Sequence, residues 1–194
     1  METGVLDNPT NHICFEADAS IKSILYTKEE LDSAVANLGK KISNDYKGKE
    51  LIVVCVLKGS VIFFSDLIRN ISCDCKIDFI GASSYGCETQ SSGIIRMYKD
   101  LDLDIKDKHV LIVEDILDTA KTMDYLIHML KGKKPAGLKI CTLLDKKARR
   151  EVDVSADYKC FDVANEFVVG YGLDFNEEYR NLPYIGILKE EKYN

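Results

Sequence analysis

Four short, nearly continuous apolar runs limit the fold of this sequence more than any other feature. They cover residues 51–57 (LIVVCVL), 110–113 (VLIV), 138–144 (LKICTLL) and 167–169 (FVV). Their length and their content of β-branched residues predict strands that are buried on both faces. Residues 76–82 form a weaker fifth candidate. Strands of this kind are typical of a parallel sheet that is covered by helices.

Helical periodicity fills the intervals between the runs. Residues 28–46 place apolar side chains on one face, and Thr27 with Glu30 forms a capping box at the start of this helix. Two more helices are predicted over residues 60–69 and 119–131. Strands and helices that alternate in this way predict an α/β fold with right-handed crossovers and a ligand site at the carboxyl ends of the strands.

Charge and cysteine content exclude several classes of protein. The 194 residues include 26 Lys and Arg against 32 Asp and Glu, a formal net charge of -6, which disfavours broad binding to DNA or RNA. The apolar runs are far shorter than the ~20 residues that span a bilayer, and no secretory leader is recognisable. The seven cysteines contain no C-x-x-C pair, so neither a disulfide framework nor a zinc ribbon is expected. We expect a cytoplasmic protein with no membrane or nucleic-acid partner.

One polar stretch interrupts the alternation of strands and helices. Residues 83–107 are too long for an ordinary connection, and we expect a mobile active-site loop there, because such segments in compact domains are usually lids or disordered. The last ~25 residues, rich in Tyr and charge, are expected to form a small hood over the sheet. No linker or repeat indicates a second domain, so we expect a single domain over residues 1–194.

Residues 110–122 (VLIVEDILDTAKT) carry the most informative pattern. A buried strand runs directly into Glu114 and Asp115, and carboxylates in that place need polar partners such as the hydroxyls of a polyol, or a metal. Residues 118–122 then offer free backbone N–H groups, a helix dipole and hydroxyls, which together suit a phosphate group. Taken alone, D-T-A-K-T also fits an ordinary helix that is capped by Asp118. The two acids before it favour the phosphate site.

With these motifs the chain resembles the type I phosphoribosyltransferases, whose diagnostic segment is an apolar strand, two acids and an acid-threonine-glycine phosphate loop. Residues 56–60 (VLKGS), 84–85 (SY), 145–150 (DKKARR) and 167–180 (FVVGYGLDFNEEYR) are similar to the hypoxanthine-guanine members of that family in particular. The resemblance covers roughly residues 51–186 in order, and its motifs are specific in combination. The LKGS motif alone would carry little weight.

The resemblance implies a fold and a reaction. The fold is of the α/β class: a twisted, mainly parallel sheet flanked by helices, with a small hood from the chain termini, in which about residues 145–194 contribute purine-binding elements. The reaction belongs to purine salvage. The 5-phosphoribosyl group of 5-phosphoribosyl-1-pyrophosphate (PRPP) is transferred to hypoxanthine or guanine with magnesium, which yields IMP or GMP and pyrophosphate. A homodimer or homotetramer is also implied.

The matching motifs imply which residues bind the phosphoribosyl group and pyrophosphate. Glu114 and Asp115 would hold the ribose hydroxyls and take part in binding magnesium. Lys58, Gly59 and Arg180 would contact pyrophosphate. Five consecutive residues would bind the 5-phosphate: Asp118, Thr119, Ala120, Lys121 and Thr122.

The same match assigns purine binding to four residues: Lys146, Phe167, Val168 and Asp174. Lys146 would donate to the 6-oxo group, which favours a carbonyl over the amino group of adenine. Phe167 would stack on the base, the Val168 backbone would meet its pyrimidine edge, and Asp174 would hold magnesium through water. Without the resemblance, Lys146 would be a solvated lysine in a basic cluster, Phe167 a core residue and Asp174 a loop cap.

Catalysis falls to Asp118 in this match, as the general base or acid at the purine nitrogen that becomes glycosylated. A carboxylate suffices, because that proton becomes more acidic as the glycosidic bond forms. Ser84 and Tyr85 would belong to a lid that closes over the reacting centre and excludes water. In the family, the peptide bond that corresponds to Leu57-Lys58 can be cis, so that a backbone N–H faces the ligand.

The phosphate loop departs from the family at Ala120, where glycine is usual. We expect Ala120 to lie in the first turn of the helix with negative φ, because the apolar stripe that starts at Met123 needs the helix to begin by about Thr119. The methyl group would then cause no backbone strain, and the first amides of the helix would still face the phosphate. The alternative is a left-handed backbone at Ala120, which would strain alanine and favour glycine.

Two other functions stay open at this point. A non-enzymatic regulator could use the same fold to sense PRPP or a nucleotide and to bind nucleic acid, since fold alone does not determine function. The acidic charge and the presence of Asp118 and Lys146 favour the enzyme. Among enzymes, a relative specific for xanthine would differ by contacts at the purine 2-position that are too small to predict.

Overall fold

Residues 18–84 and 95–193 are described by the computed structural model of the chain. In these ranges the chain forms two sheets and three α-helices. The strands are β1 (Ile21–Tyr26), β2 (Leu51–Leu57), β3 (Cys75–Ser84), β4 (Ile95–Lys99), β5 (His109–Leu117), β6 (Gly137–Asp145), β7 (Tyr158–Asp162), β8 (Val168–Val169) and β9 (Ile185–Leu188). The helices are α1 (Lys28–Asp45), α2 (Val61–Arg69) and α3 (Lys121–Gly132). None of these helices is long and apolar enough to cross a membrane.

The larger sheet has the strand order β4-β3-β2-β5-β6-β7. Strands β3, β2, β5, β6 and β7 run parallel, and β4 at one edge is antiparallel to β3. Residues of β2 alternate between two cores: Val53 and Cys55 pack with residues of α1 and α2, whereas Ile52 and Val54 pack with residues of α3. Both faces of the central strands are therefore buried, which explains their continuous apolar runs. The predicted mainly parallel sheet flanked by helices is confirmed.

Strands from both ends of the described chain form the smaller sheet, in the order β1-β9-β8. Its strand pairs are antiparallel. The apolar run at residues 167–169 lies here, with Val168 opposite Ile187, so the prediction that this run joins the parallel sheet is wrong. A run of three apolar residues indicates burial but not the strand with which it pairs. The expected hood from the chain termini is confirmed.

The helices begin close to their predicted positions, with one informative exception. Thr27 Oγ1 accepts a hydrogen bond from Glu30 N (3.3 Å) and Thr27 N donates to Glu30 Oε2 (2.8 Å), so the capping box of α1 is confirmed. Helix α3 begins at Lys121 instead of Thr119, because Ala120 has a left-handed backbone with φ of 65°. The expectation of negative φ at Ala120 is therefore wrong. A regular right-handed helix cannot include that conformation.

Within the polar stretch over residues 83–107, residues 95–107 are more ordered than expected. Its middle contains β4, and Ile105 is completely buried in the core on the α3 side. The Asp78 carboxylate accepts hydrogen bonds from the backbone N–H groups of residues 102 and 103 (2.9 and 2.8 Å). The prediction of a long segment without secondary structure is thus wrong for residues 95–99, which form β4. Residues 85–94 lie outside the described residues, and the movement of the loop stays a prediction.

Candidate active site

A cavity of about 360 Å³ opens at the carboxyl ends of β2 and β5. It is lined by residues 56–59 and 114–120 and by Asp174 and Arg180, among others. A larger cavity, of about 650 Å³, lies at the opposite edge of the sheet, near the first residues of β2 and β3. The smaller cavity is the candidate active site. The carboxylates of Glu114 and Asp115 and the phosphate loop, which the sequence predicts to bind the substrate, meet there at the strand ends where α/β folds bind ligands.

The phosphate loop, residues 118–122, connects β5 to α3. Four of its residues line the cavity: Asp118, Thr119, Ala120 and Thr122. Ala120 directly precedes α3 and supplies no side-chain cap, so the first N–H groups of the helix keep their capacity to bind an anion. Lys121 differs, since its side chain forms an ion pair with Glu151 (2.5 Å). The loop therefore presents backbone donors and hydroxyl groups to the cavity.

Asp118 keeps one carboxylate oxygen without a protein partner. Its Oδ1 is buried and has no hydrogen-bond partner among the described residues, while its Oδ2 lies 3.3 Å from Arg149 Nη1. The alternative that Asp118 caps α3 is wrong, because Ala120 occupies the cap position. A buried acceptor without a partner is costly. Oδ1 is therefore suited to accept a hydrogen bond from an N–H group of a bound molecule.

Glu114 and Asp115 form a coupled pair of carboxyl groups at the end of β5. Desolvation by burial raises the pKa of Glu114 well above its usual value, and the charge of Asp115 raises it further. Burial also raises the pKa of Asp115, but a hydrogen bond from Glu114 and the charge of Arg180 act against that rise. Both carboxyl groups therefore hold a proton more readily than exposed carboxyl groups do. Hydrogen bonds from sugar hydroxyls, or a bound cation, would instead stabilise the charged carboxylates.

The loop after β2 lies closely against this pair. A side chain at Gly59 would displace the Asp115 carboxylate, since a Cβ there would lie 1.8 Å from Asp115 Oδ2. The Leu57-Lys58 peptide bond is cis, as the resemblance allowed. The Lys58 side chain is exposed and pairs with Glu177 (3.0 Å). The absence of a side chain at Gly59 therefore lets the backbone of this loop approach the carboxyl pair closely.

Arg180 and Asp174 form an ion pair in the lining of the cavity. Arg180 Nη1 lies 2.9 Å from Asp174 Oδ1 and donates to the Gly172 carbonyl (2.8 Å), while Arg180 Nε is buried without a partner among the described residues. Asp174 Oδ2 also accepts a hydrogen bond from Glu177 N (2.9 Å). Asp174 is therefore a loop cap, as one alternative held, and it also lines the cavity. Arg180 retains a donor for an anion.

Lys146 follows β6 directly and is buried, with 5% of its surface exposed. Its Nζ donates to the Glu166 carbonyl (2.8 Å). Burial lowers the pKa of Lys146, and the charge of Asp118 partly counteracts this. The alternative of a solvated lysine is therefore wrong. In the described structure, Lys146 is nevertheless not part of the cavity lining.

Phe167 and Val168 also lie outside the lining of the cavity. The ring of Phe167 is stacked on Tyr193 (centroids 4.8 Å apart, planes at 21°) and meets the edge of Phe175 at 5.5 Å. Val168 is buried in the smaller sheet. The structure thus brings the phosphate-loop and pyrophosphate residues together with Asp174, but it does not bring Lys146, Phe167 and Val168 into the same open cavity.

Sequence-based prediction missed several residues at or behind the site, among them Ile116 and Arg150. Ile116 lines the cavity as an apolar, partly exposed side chain between the carboxyl pair and the phosphate loop. Arg150 lies behind that loop and donates to the carbonyl of Asp118 (3.1 Å). The basic cluster that contains Arg150 was visible in the sequence, but nothing local tells which of its side chains turns inward. Of the predicted lid pair, only the backbone of Ser84 lies within the described residues.

Comparisons with known proteins agree with this geometry. The model of the phosphoribosyl transferase domain family matches residues 22–176. The hypoxanthine-guanine phosphoribosyltransferase of Streptococcus thermophilus is 48% identical over 177 residues, which cover 91% of this chain and 98% of that protein. The Streptococcus pneumoniae protein of the same name is 49% identical over 174 residues, 90% and 97% of the two chains. A crystal structure of a hypoxanthine phosphoribosyltransferase from Staphylococcus aureus superposes with a TM-score of 0.87 at 46% identity, covering 90% of this chain and 95% of that one.

Proposed function

Because the chain belongs to the phosphoribosyl transferase domain family, we propose that it is a purine-salvage enzyme that transfers the 5-phosphoribosyl group of PRPP to hypoxanthine or guanine. The products are IMP or GMP and pyrophosphate. The observation that carries the proposal is the buried Asp118 Oδ1, which has no hydrogen-bond partner among the described residues and lies at the start of the phosphate loop. A proton acceptor and an anion site are thereby adjacent, which is what the attack of a purine N–H on a phosphorylated sugar requires.

In this reaction each wall of the cavity has a distinct task. The backbone donors and hydroxyls of residues 118–122 bind the 5-phosphate, and Glu114 with Asp115 holds the ribose hydroxyls. Asp118 Oδ1 accepts the proton of the purine nitrogen as that nitrogen bonds to the sugar. The departing pyrophosphate is stabilised by the loop at residues 57–59 and by Arg180. Positioning and electrostatic stabilisation therefore supply most of the catalysis.

The donor set of the cavity fits magnesium. Glu114, Asp115 and Asp174 offer hard oxygen donors, which this ion prefers, and a cation would offset the cost of two adjacent carboxylates in a poorly solvated place. Among the described residues no group of three or more acidic, histidine or cysteine side chains is arranged to hold a metal. We therefore propose that the ion is held by one or two carboxylates together with water and PRPP oxygens. When bound, it would neutralise charge on the pyrophosphate leaving group.

Purine selection is proposed for Lys146, Phe167 and Val168. The Lys146 ammonium has three donors, so it can keep its bond to the Glu166 carbonyl (2.8 Å) while donating to a 6-oxo group. An amino group at that position, as in adenine, would leave this buried donor unsatisfied. We propose that Phe167 stacks on the base and that Asp174 contributes through its magnesium.

The proposal also covers the domain organisation, the oligomeric state and the cellular compartment of the protein. The chain forms one domain with an active-site lid that includes Ser84 and Tyr85, and elements after about residue 145 complete the purine side. It works in the cytoplasm as a homodimer or homotetramer and has no nucleic-acid partner. The five described cysteines are unpaired, which suits a reducing compartment.

The proposal is tested by assaying the purified protein with magnesium, PRPP and four bases: hypoxanthine, guanine, xanthine and adenine. We expect nucleotide and pyrophosphate to form in equal amounts from hypoxanthine and guanine, and at least about a hundredfold less from adenine. Conversion of xanthine alone would indicate the xanthine-specific relative. PRPP binding without conversion of any of the four bases would contradict the enzyme and support a regulator.

A further inference from the structure

We propose that Arg150, anchored by Asp145, is a positioning residue for the phosphate loop and hence for Asp118. This inference rests on the proposed function and adds to it a residue that touches no substrate. Arg150 follows the purine-binding Lys146 by four positions. Its guanidinium lies beneath the turn that connects β5 to the phosphate loop.

The guanidinium of Arg150 donates hydrogen bonds to four acceptors at once. Its Nε donates to the Asp118 carbonyl (3.1 Å), its Nη2 donates to the Leu117 carbonyl (3.0 Å), and its Nη1 donates to the Val154 carbonyl. Nη2 also pairs with Asp145 Oδ1 (2.6 Å). Arginine is the side chain that can do this, because its planar fork carries five N–H donors in fixed directions.

Asp145 provides the anchor for this arrangement. Only 4% of its side chain and 16% of the Arg150 side chain are exposed. Asp145 is the last residue of β6 and is paired in register with Leu117 at the end of β5. Its second carboxylate oxygen lies 3.2 Å from Lys159 Nζ. A buried carboxylate with two cationic partners is compensated, whereas the loss of Arg150 would leave it poorly paired.

The backbone of the same segment strengthens the connection. Lys146 N donates to the Leu117 carbonyl (3.0 Å), and Glu151 N donates to the Thr119 carbonyl (3.1 Å). Carbonyls on both sides of Asp118, and its own carbonyl, are therefore held by residues 146–151. The segment that carries the purine-binding lysine is thus tied to the loop that carries the proton acceptor.

Asp118 depends on this support because its own side chain is weakly held. Oδ1 has no hydrogen-bond partner among the described residues, and the pairing of Oδ2 with Arg149 spans 3.3 Å to a side chain that is 52% exposed. The orientation of the Asp118 carboxylate therefore depends mainly on the position of its own backbone. A displacement of about 1 Å at a reacting group can cost about a hundredfold in rate, so the bonds from Arg150 to that backbone matter for catalysis.

The test compares three variants: Arg150→Gln, Arg150→Lys and Lys159→Gln. Glutamine removes the charge and most donors, and lysine keeps the charge for Asp145 but cannot reach four acceptors. Lys159→Gln is the matched control, because it removes the other partner of Asp145 and leaves every bond to the phosphate loop intact. We expect Arg150→Gln to lower kcat by about thirtyfold or more, with the KM for PRPP changed less than about fivefold.

Arg150→Lys separates positioning from mere stability. We expect it to recover most of the melting temperature lost in Arg150→Gln but to keep kcat at least about tenfold below wild type, while Lys159→Gln stays within about twofold in kcat. Amide hydrogen exchange supplies a readout independent of turnover: the amides of residues 118–122 should exchange faster in both Arg150 variants than in Lys159→Gln. If Arg150→Gln does not fold, Arg150→Lys alone carries the comparison.

Recovery of kcat in parallel with the melting temperature in Arg150→Lys, or unchanged exchange in the phosphate loop, would overturn the proposal and leave Arg150 a structural residue. Failure of the proposed function would look different. The wild-type protein would then lack turnover altogether, whereas the exchange measurement would still report whether Arg150 holds the loop.

Discussion

The two halves of the candidate site are prepared for ligands to different degrees. In the phosphoribosyl half, formed by residues 57–59, 114–122 and Arg180, polar atoms face an open cavity, and Asp118 Oδ1 and Arg180 Nε lack partners among the described residues. In the purine half, formed by Lys146, Phe167 and Val168, the corresponding groups are already engaged. Lys146 donates to the Glu166 carbonyl and Phe167 is stacked on Tyr193.

This difference follows from the kind of group that each half uses. In the proposed reaction, phosphate and sugar would be bound largely by backbone amides at a helix start and by carboxylates near a strand end, whose places are set by secondary structure. The purine half relies on side chains, which can satisfy one another when no base is present. We infer that PRPP meets a preformed surface, whereas the base must replace or share contacts within the protein. The four predictions that follow test this contrast.

The largest effect is expected in the phosphoribosyl half, at Asp118. Asp118→Asn should lower kcat by about a hundredfold or more, because an amide cannot accept the purine proton, while PRPP affinity should stay within about tenfold. Steady-state kinetics and calorimetric titration with PRPP and magnesium measure the two quantities. Asp124→Asn, in α3 and paired with His128, is the matched control and should retain normal turnover. A near-normal kcat for Asp118→Asn would remove Asp118 from its role.

In the purine half, Lys146→Gln should weaken discrimination between bases. A neutral amide can accept from an amino group as well as donate to a carbonyl, so the ratio of kcat/KM for hypoxanthine over adenine should fall by about tenfold or more. PRPP affinity should change little, since Lys146 lies outside the cavity lining. Lys147→Gln, at the exposed neighbouring position, should leave the ratio unaltered. The reverse outcome for the two variants would transfer the assignment to Lys147.

The carboxyl pair predicts a pH dependence of stability. Because the pKa of Glu114 is raised in the folded protein, the folded state keeps a proton that the unfolded chain has released. The unfolding free energy should therefore fall as the pH rises above the ordinary carboxyl range of about 4 to 5. Glu114→Gln should flatten this decline, as followed by denaturant unfolding from about pH 5 to 8.

Glu50→Gln is the control for that series. Its carboxyl group is exposed, and the hydrogen bond from Lys108 lowers its pKa. The stability that it contributes is complete above its unfolded pKa, so its replacement should leave the slope between about pH 5 and 8 unchanged. An equal slope in wild type and Glu114→Gln would show that the pair does not hold the extra proton.

The smallest effect concerns the backbone of the phosphate loop at Ala120. Its φ of 65° is costly for alanine and free of that cost for glycine, so Ala120→Gly should raise the unfolding free energy by about 0.5 to 1 kcal/mol. Calorimetry should show a melting temperature about 1 to 4 °C higher. Ala36→Gly, in the middle of α1, should lower stability by about 1 kcal/mol. Destabilisation by both substitutions would contradict the left-handed conformation.

Several features of this fold were predictable because their causes are local. The central strands were predictable from their apolar runs, which reflect burial on both faces. The start of α1 was predictable because Thr27 and Glu30 can satisfy the first amides of the helix. Glu114 and Asp115 lie near the carboxyl end of the buried strand β5, and parallel strands bring their carboxyl ends to one edge, so the place of the site also followed from the sequence.

Tertiary structure alone decided the features that depend on distant partners. The run at residues 167–169 has the composition of a parallel strand, but β9 pairs with it in the smaller sheet. Ala120 takes positive φ because the chain must turn from β5 into α3 beside the cavity, and no neighbouring residue signals that turn. Arg150 turns inward because Asp145 and the carbonyls of residues 117 and 118 lie behind the phosphate loop. The environment of a side chain is set by the elements that pack around it. The hydrophobic pattern of a sequence indicates helices and strands, but it does not indicate which distant elements will contact them.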